Sequence, residues 1–257
     1  MGFWNLMIKK DDYILYSIDF ILKLKNKCSF RYQKVIKQNK ELVPNMGKRL
    51  FIILNGPSIK EQNLKALSGE DVVFVNRGFK HPAYSDIKPK FHVFIDPKMI
   101  TGEWDLKWLD EIHQMSPDTI FVFPVNWFFI PKIKPYIKKY KIYWLPIMGK
   151  CHCTGVGGAC FDFASLLGYK EIYFTGWEAT GLAHELLKTT SHFYGVNEEN
   201  SLKDSADYVR DLYMMSRHLN DLINLSKKYK KKGFKVVNLT NGGLLDMFER
   251  KDFDSII

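Results

Sequence analysis

Leu50-Phe51-Ile52-Ile53-Leu54-Asn55-Gly56-Pro57-Ser58 is the stretch on which the reading turns. Five apolar residues suited to a buried strand run directly into a Gly-containing polar turn, and a polar segment expected to be helical follows. A buried strand that stops this way leaves backbone N–H groups and small polar side chains at its carboxyl end. In open α/β sheets that is where a phosphate-bearing ligand binds. The same layout recurs at Val72–Val75 before Asn76-Arg77-Gly78, at Phe91–Ile95 before Asp96-Pro97, and near Thr154-Gly155. Adjacent carboxyl ends converge in space, so repetition strengthens what four residues alone would not carry.

Outward from these termini the chain alternates apolar runs with helix-like ones. Strands are expected over Arg49–Leu54, Val72–Val75, Phe91–Ile95, Thr119–Phe123, Lys141–Leu145, Glu171–Thr175 and Phe234–Leu239. Helices are expected over Lys60–Leu67, Glu103–Met115, Gly158–Leu167, Asp204–Tyr229 and Leu244–Arg250. Trp127–Tyr140, broken by Pro131 and Pro135, reads as a loop or a short helix. The alternation implies an α/β fold, a doubly wound, mostly parallel sheet flanked by helices. Two domains are expected: a basic helical extension over 1–48 and a catalytic α/β domain over 49–257. The extension has two open readings, helices packed on the main body or an amphipathic anchor on an anionic membrane.

The chain has 257 residues, 46% hydrophobic and 15% aromatic, which is enough to bury a sizeable core and speaks against disorder. Lys plus Arg is 38 against 28 Asp plus Glu, a formal charge of +10 that favours anionic partners. The lysine runs resemble no nucleic-acid-binding signature, and no nucleic-acid partner is expected. No window approaches the roughly 18–20 uninterrupted apolar residues of a spanning helix. Of the four cysteines, Cys151, Cys153 and Cys160 crowd together, and no secretory signal precedes them. A reducing, cytoplasmic protein is the expectation.

Cys151-His152-Cys153 offers only one hook where structural zinc sites use two, so no metal is expected there. The Thr154-Gly155-Val156-Gly157-Gly158 run that follows reads better as a turn opening a helix toward an anion, with Cys160 facing the core. Ser191-His192-Phe193-Tyr194-Gly195 places a histidine beyond another strand terminus, where a neutral imidazole suits removal of a hydroxyl proton near pH 7. Asp252-Phe253-Asp254 is the only Asp-x-Asp and lies in the C-terminal tail, away from any central strand end.

In order, these motifs resemble the bacterial sialyltransferases of glycosyltransferase family 42. The resemblance starts at Asn55-Gly56-Pro57-Ser58 and continues through Asn76 and Asp96-Pro97. It is strongest from Thr154-Gly155 to Gly176, and ends with Ser191–Gly195 and Asn238–Leu245. It implies a metal-independent, GT-A-like enzyme, needing no cofactor, that transfers sialic acid from a CMP donor. By residue, it implies donor binding by Asn55, Gly56, Pro57, Ser58, Asn76, Asp96, Thr154, Gly155, Gly157, Gly176 and Glu178, with His192 as general base. Two departures stand out. Asp96 occupies a position where the family commonly has Asn, and no tyrosine lies between Gly176 and His192 to stabilise the leaving phosphate. His184, Lys188 and Thr189 are the expected substitutes. The resemblance further implies a role in bacterial surface-polysaccharide or lipopolysaccharide assembly, with a glycan or lipid-linked glycan as acceptor. Peripheral contact with the inner membrane face and homo-oligomerisation stay open. Two alternatives stand beside this reading: a glycosyltransferase using another nucleotide-sugar donor, and hydroxymethylpterin diphosphokinase-like transfer, which shares the Gly-Pro-Ser opening but usually brings acidic metal-binding residues.

Overall fold

The computed structural model describes residues 29–42, 47–147, 155–195 and 202–257, together with Ser17, Phe20, Ile21 and Leu24. Its centre is one eight-stranded sheet in the order β5-β4-β3-β2-β1-β6-β7-β8. The strands are β1 (Arg49–Ile53), β2 (Asp71–Val75), β3 (Phe91–Val93), β4 (Ile120–Pro124), β5 (Ile142–Leu145), β6 (Glu171–Thr175), β7 (Lys235–Asn238) and β8 (Glu249–Arg250). Every pairing is parallel. The helices are α1 (Phe30–Ile36), α2 (Tyr84–Ile87), α3 (Lys98–Thr101), α4 (Trp108–Met115), α5 (Lys134–Lys139), α6 (Gly155–Leu167), α7 (Gly181–Leu186) and α8 (Ser205–Lys231).

Both faces of the sheet are covered, which is why the strands read as unbroken apolar runs rather than alternating ones. Phe51, Ile53, Phe74, Phe121, Phe123 and Trp144 point into one core with α2, α3 and α4. Leu50, Ile52, Leu54, Val73, Val75 and Val122 point into the other with α6 and α8. The fold is therefore doubly wound, and the chain reverses its direction of travel between β1 and β6. That reversal separates the two crossover directions and creates a switch point at the carboxyl ends of β1 and β6.

Seven expected strands are present, and three helical expectations give way to tertiary contacts. Lys60–Leu67 forms two 3-10 turns, Pro57–Glu61 and Leu64–Leu67, because Gln62 between them is extended. Its amide donates to Leu239 C=O and accepts from Thr175 Oγ1, each at 2.7 Å, tying the segment to β6 and β7. Leu244–Arg250 is not a helix either. Leu245 and Phe248 are buried, and the segment ends as the edge strand β8 beside Val237 and Asn238. In Glu103–Met115 only Trp108–Met115 is α-helical. Trp127–Tyr140 holds 3-10 turns and the short helix α5. Residues 29–42 lie against this body: Val35 is buried, and the Asn39 amide both accepts from Trp144 N–H (2.8 Å) and donates to Trp144 C=O (2.9 Å), occupying the free edge of β5.

Candidate functional site

The switch point is built from backbone before side chains enter. Leu54 N–H donates to Thr175 C=O (2.9 Å) and Gly56 N–H to Gly176 C=O (2.8 Å), so β1 and β6 stay paired one step beyond the sheet. Gly176 has φ +71°, and a Cβ there would stand 2.6 Å from Leu54 O. Only glycine lets the two strand ends approach this closely. Asn55 then bridges sideways, its Nδ2 reaching Val75 C=O at 3.3 Å. Its carbonyl turns the other way and accepts Phe193 N–H at 2.9 Å. One residue thus joins the ends of β1 and β2 to the turn that carries His192.

Glu178 accounts for Gly56. Its carboxylate accepts Ser58 N–H at 2.9 Å, and a Cβ on Gly56 would lie 1.5 Å from Oε2. The backbone donor expected to meet a phosphate is therefore engaged by an internal carboxylate. What this turn leaves for a ligand is side-chain oxygen. Asn55 Oδ1, Ser58 Oγ and Asn76 Oδ1 are each buried with no hydrogen-bond partner. Buried polar atoms of this kind are rare and costly, and three at neighbouring strand ends fit a polar ligand with matching donors and acceptors. Asn76 adopts φ +48°, and its carbonyl lies 2.8 Å from His92 Nε2. His92 is fully buried, with Nδ1 2.9 Å from the Tyr84 hydroxyl. Burial pushes its pKa down to about 3, so it stands neutral beneath the site.

His192 is half-buried, with Nδ1 2.9 Å from Ser191 Oγ and its ring stacked on Tyr194 (4.9 Å, 12°). Burial first, then the charges of Arg77 and His184, push it down to about 4. The ring is neutral across the physiological range, as a proton acceptor must be. Arg77 is the residue that motif reasoning missed. Its guanidinium lies over the rings of Trp108 (5.3 Å), Trp104 (5.6 Å) and Tyr194 (5.7 Å), close enough to act on His192. The signal was present in the sequence as Asn76-Arg77-Gly78, a cation set directly on a strand end.

Other expected site residues are placed less centrally. Asp96 Oδ1 accepts Lys98 N–H at 3.0 Å, a local bond at the start of α3. Pro57 opens its 3-10 turn. Gly155, at φ +61°, begins α6. Gly157 is buried within α6, and a Cβ there would meet the Trp177 ring at 2.4 Å, so the packing against Trp177 needs a glycine. Cys160 is fully buried. His184 Nδ1 meets Thr189 Oγ1 at 2.8 Å, while Lys188 and Thr189 are exposed. Thr154 and the Cys151-His152-Cys153 hook lie outside the described residues. Among the described residues no His, Cys, Asp and Glu side chains group as a metal site. Nor is any helix there long and apolar enough to cross a membrane.

Among solved structures, the chain is similar to the sialyltransferase CstII from Campylobacter jejuni in complex with a substrate analogue, cytidine-5'-monophosphate. The match has 18% identity and a TM-score of 0.50, and covers 80% of this chain and 85% of that one. A structure of the sialyltransferase CST-II in complex with trisaccharide acceptor and CMP aligns at 20% identity and a TM-score of 0.49, covering 79% and 85%. No protein-family model matches the chain, and no curated protein matches it by sequence. At these identities the likeness establishes a shared fold.

Proposed function

We propose that this protein is an inverting glycosyltransferase that moves sialic acid or a related acidic sugar from a CMP donor to a glycan hydroxyl. The observation that carries the reading is the 2.9 Å bond from Phe193 N–H to Asn55 C=O, which holds the histidine turn against the β1 strand end. A base and a set of unsatisfied polar groups then share one switch point, where α/β sheets take their ligands. The shared fold with a sialyltransferase solved with cytidine-5'-monophosphate supports the choice of donor.

In this reading Asn55, Ser58 and Asn76 hold the nucleotide through their buried oxygens and amides. His192 takes the acceptor proton, through the ring nitrogen that Ser191 leaves available, as the acceptor oxygen attacks the anomeric carbon and the CMP phosphate departs on the opposite face. Arg77 offers the positive charge that steadies the departing phosphate, a role the sequence assigned to His184, Lys188 and Thr189. An anionic donor beside Arg77 also offsets the cation that lowers His192. The imidazole then moves back toward its ordinary value and becomes a better base once the donor is bound. Glu178 organises the β1 turn through Ser58 N–H. Bacterial surface-polysaccharide assembly at the cytoplasmic membrane face is the cellular setting that fits this chemistry.

A thermal-shift panel of CMP, CDP, UDP, GDP and ADP tests the donor, since a ligand that binds the folded state raises its stability by mass action. CMP-selective stabilisation is expected. A response to UDP or GDP alone would refute the donor, and a response to ADP alone would favour diphosphate transfer.

A further inference from the structure

The chain before Asn55, where the resemblance begins, carries a surface that the transfer chemistry does not use. Ser17, Phe20, Ile21 and Leu24 are helical, and their i, i+3, i+4, i+7 spacing sets them on one face. That face is open to solvent: Phe20 is 62% exposed, Ile21 60% and Leu24 42%. A few residues on, α1 has two unlike faces. Val35 is buried, and Tyr32 and Ile36 pack on the core. Phe30, Arg31 and Lys34 point outward, with Phe30 at 82% exposure. From Phe20 to Gln38 the sequence holds Lys23, Lys25, Lys27, Arg31, Lys34 and Lys37 and no Asp or Glu. Large apolar side chains left in water beside a run of like charges mark an interaction surface.

We infer that the exposed Phe20, Ile21, Leu24 and Phe30, with the cations Arg31, Lys34 and Lys37, dock the protein on an anionic phospholipid membrane. A bilayer surface answers both chemistries at once. Headgroup phosphates meet the cations, and the boundary of the acyl chains takes the aromatic and aliphatic side chains. A nucleic acid would neutralise the cations but leave the apolar side chains in water. A second copy would cover the apolar side chains but bring like charges face to face across a two-fold axis. The docked surface also has a fixed place on the body. Tyr32 packs on Phe129 at 5.5 Å, and the Arg31 guanidinium lies 4.7 Å from the centre of the same ring. Phe129 belongs to the turn Val125–Phe129, which starts where β4 ends. The membrane-facing surface is therefore anchored at the end of the sheet that carries the switch point. Lys132 and Lys134, exposed just beyond that turn, add charge of the same sign.

The test is co-sedimentation of the full chain with two kinds of vesicle, phosphatidylcholine alone and phosphatidylcholine mixed equally with phosphatidylglycerol. Binding should be at least on the order of 10-fold tighter to the anionic vesicles and should weaken as salt is raised. Lys34→Gln/Lys37→Gln and Phe20→Ser/Ile21→Ser should each lose on the order of 10-fold, the first through charge and the second through apolar contact. Both change exposed side chains, so their thermal midpoints should match the native one. A lowered midpoint in Phe20→Ser/Ile21→Ser would show that these side chains are packed in the fold and would overturn the assignment. Equal binding to the two vesicles, or none to either, would do the same. A single-stranded RNA bound as tightly as the anionic vesicles, and undiminished in Phe20→Ser/Ile21→Ser, would assign the cations to nucleic acid instead. Self-association in the ultracentrifuge that the same variant abolishes would assign the face to a second copy. The inference stands apart from the transferase reading: a chain that binds anionic vesicles and ignores CMP would keep the one and lose the other.

Discussion

The two ends of the sheet are made on opposite principles. At the amino end, polar groups are answered. Asp71, opening β2, accepts from Lys90, Tyr169 and the Gly47 N–H, and Arg49, opening β1, pairs with Glu70 at 2.6 Å. At the carboxyl end Asn55, Ser58 and Asn76 each keep a buried oxygen with no partner, and a histidine is held in its neutral form. The same parallel strands supply both ends, so the difference lies in what the sequence places one or two residues beyond each strand. One end is furnished for stability, and the other leaves polar atoms unanswered, as the proposed donor site requires.

Substitutions can break this contrast. His192→Ala should lower turnover on the order of 10²–10⁴-fold, the usual loss on removing a general base, while CMP still stabilises the fold. Steady-state rates alongside a thermal shift would decide; undiminished turnover would remove His192 from the reaction. Gly56→Ala should next drive the Glu178 carboxylate off Ser58 N–H, at about 1–3 kcal/mol by denaturant unfolding, because the new methyl overlaps it. An unchanged midpoint would mean that Glu178 moves aside freely.

At the other end, Asp71→Ala should cost about 1–3 kcal/mol of stability and leave CMP affinity intact. Burial raises the Asp71 carboxyl, but the bonds from Lys90, Tyr169 and Gly47 together hold it below its ordinary value. A depressed folded value means that this stabilisation is present above the unfolded value, near pH 4, and disappears as pH falls through the folded one. The variant should therefore show a shallower loss of stability in acid. His192 adds to acid sensitivity by the same sign: its folded value, about 4, lies below the unfolded one, so stability declines from near pH 6.5 downward. Its titration by NMR should move upward when CMP is added; no movement would separate Arg77 from the donor phosphate. The smallest effect belongs to Ser58→Ala. It removes an unpartnered hydroxyl and should change stability by no more than about 0.5 kcal/mol while weakening CMP.

The sheet was legible because strands buried on both faces need apolar runs, and Leu50–Leu54 or Phe91–Ile95 cannot be satisfied otherwise. The strand-end logic also located Asn55, Asn76 and His192 near one switch point. What escaped was set by long-range contact. Gln62 is extended because Leu239 and Thr175 hold it, and the Leu244–Arg250 pattern is helical in period but strand-forming at its end beside β7. Gly157 was expected from its Gly-rich run, and the structure adds that it seats Trp177, a partner twenty residues away in the chain. Arg77 escaped because its part depends on three aromatic rings from two other segments.

Calorimetric titration of CMP into the native chain and into Ser58→Ala/Asn76→Ala bears most directly on the claim that unpartnered strand-end groups are a nucleotide site. Binding to the native chain and on the order of 10-fold weaker binding to the double variant is the expected result. Equal affinity in the two proteins would contradict it.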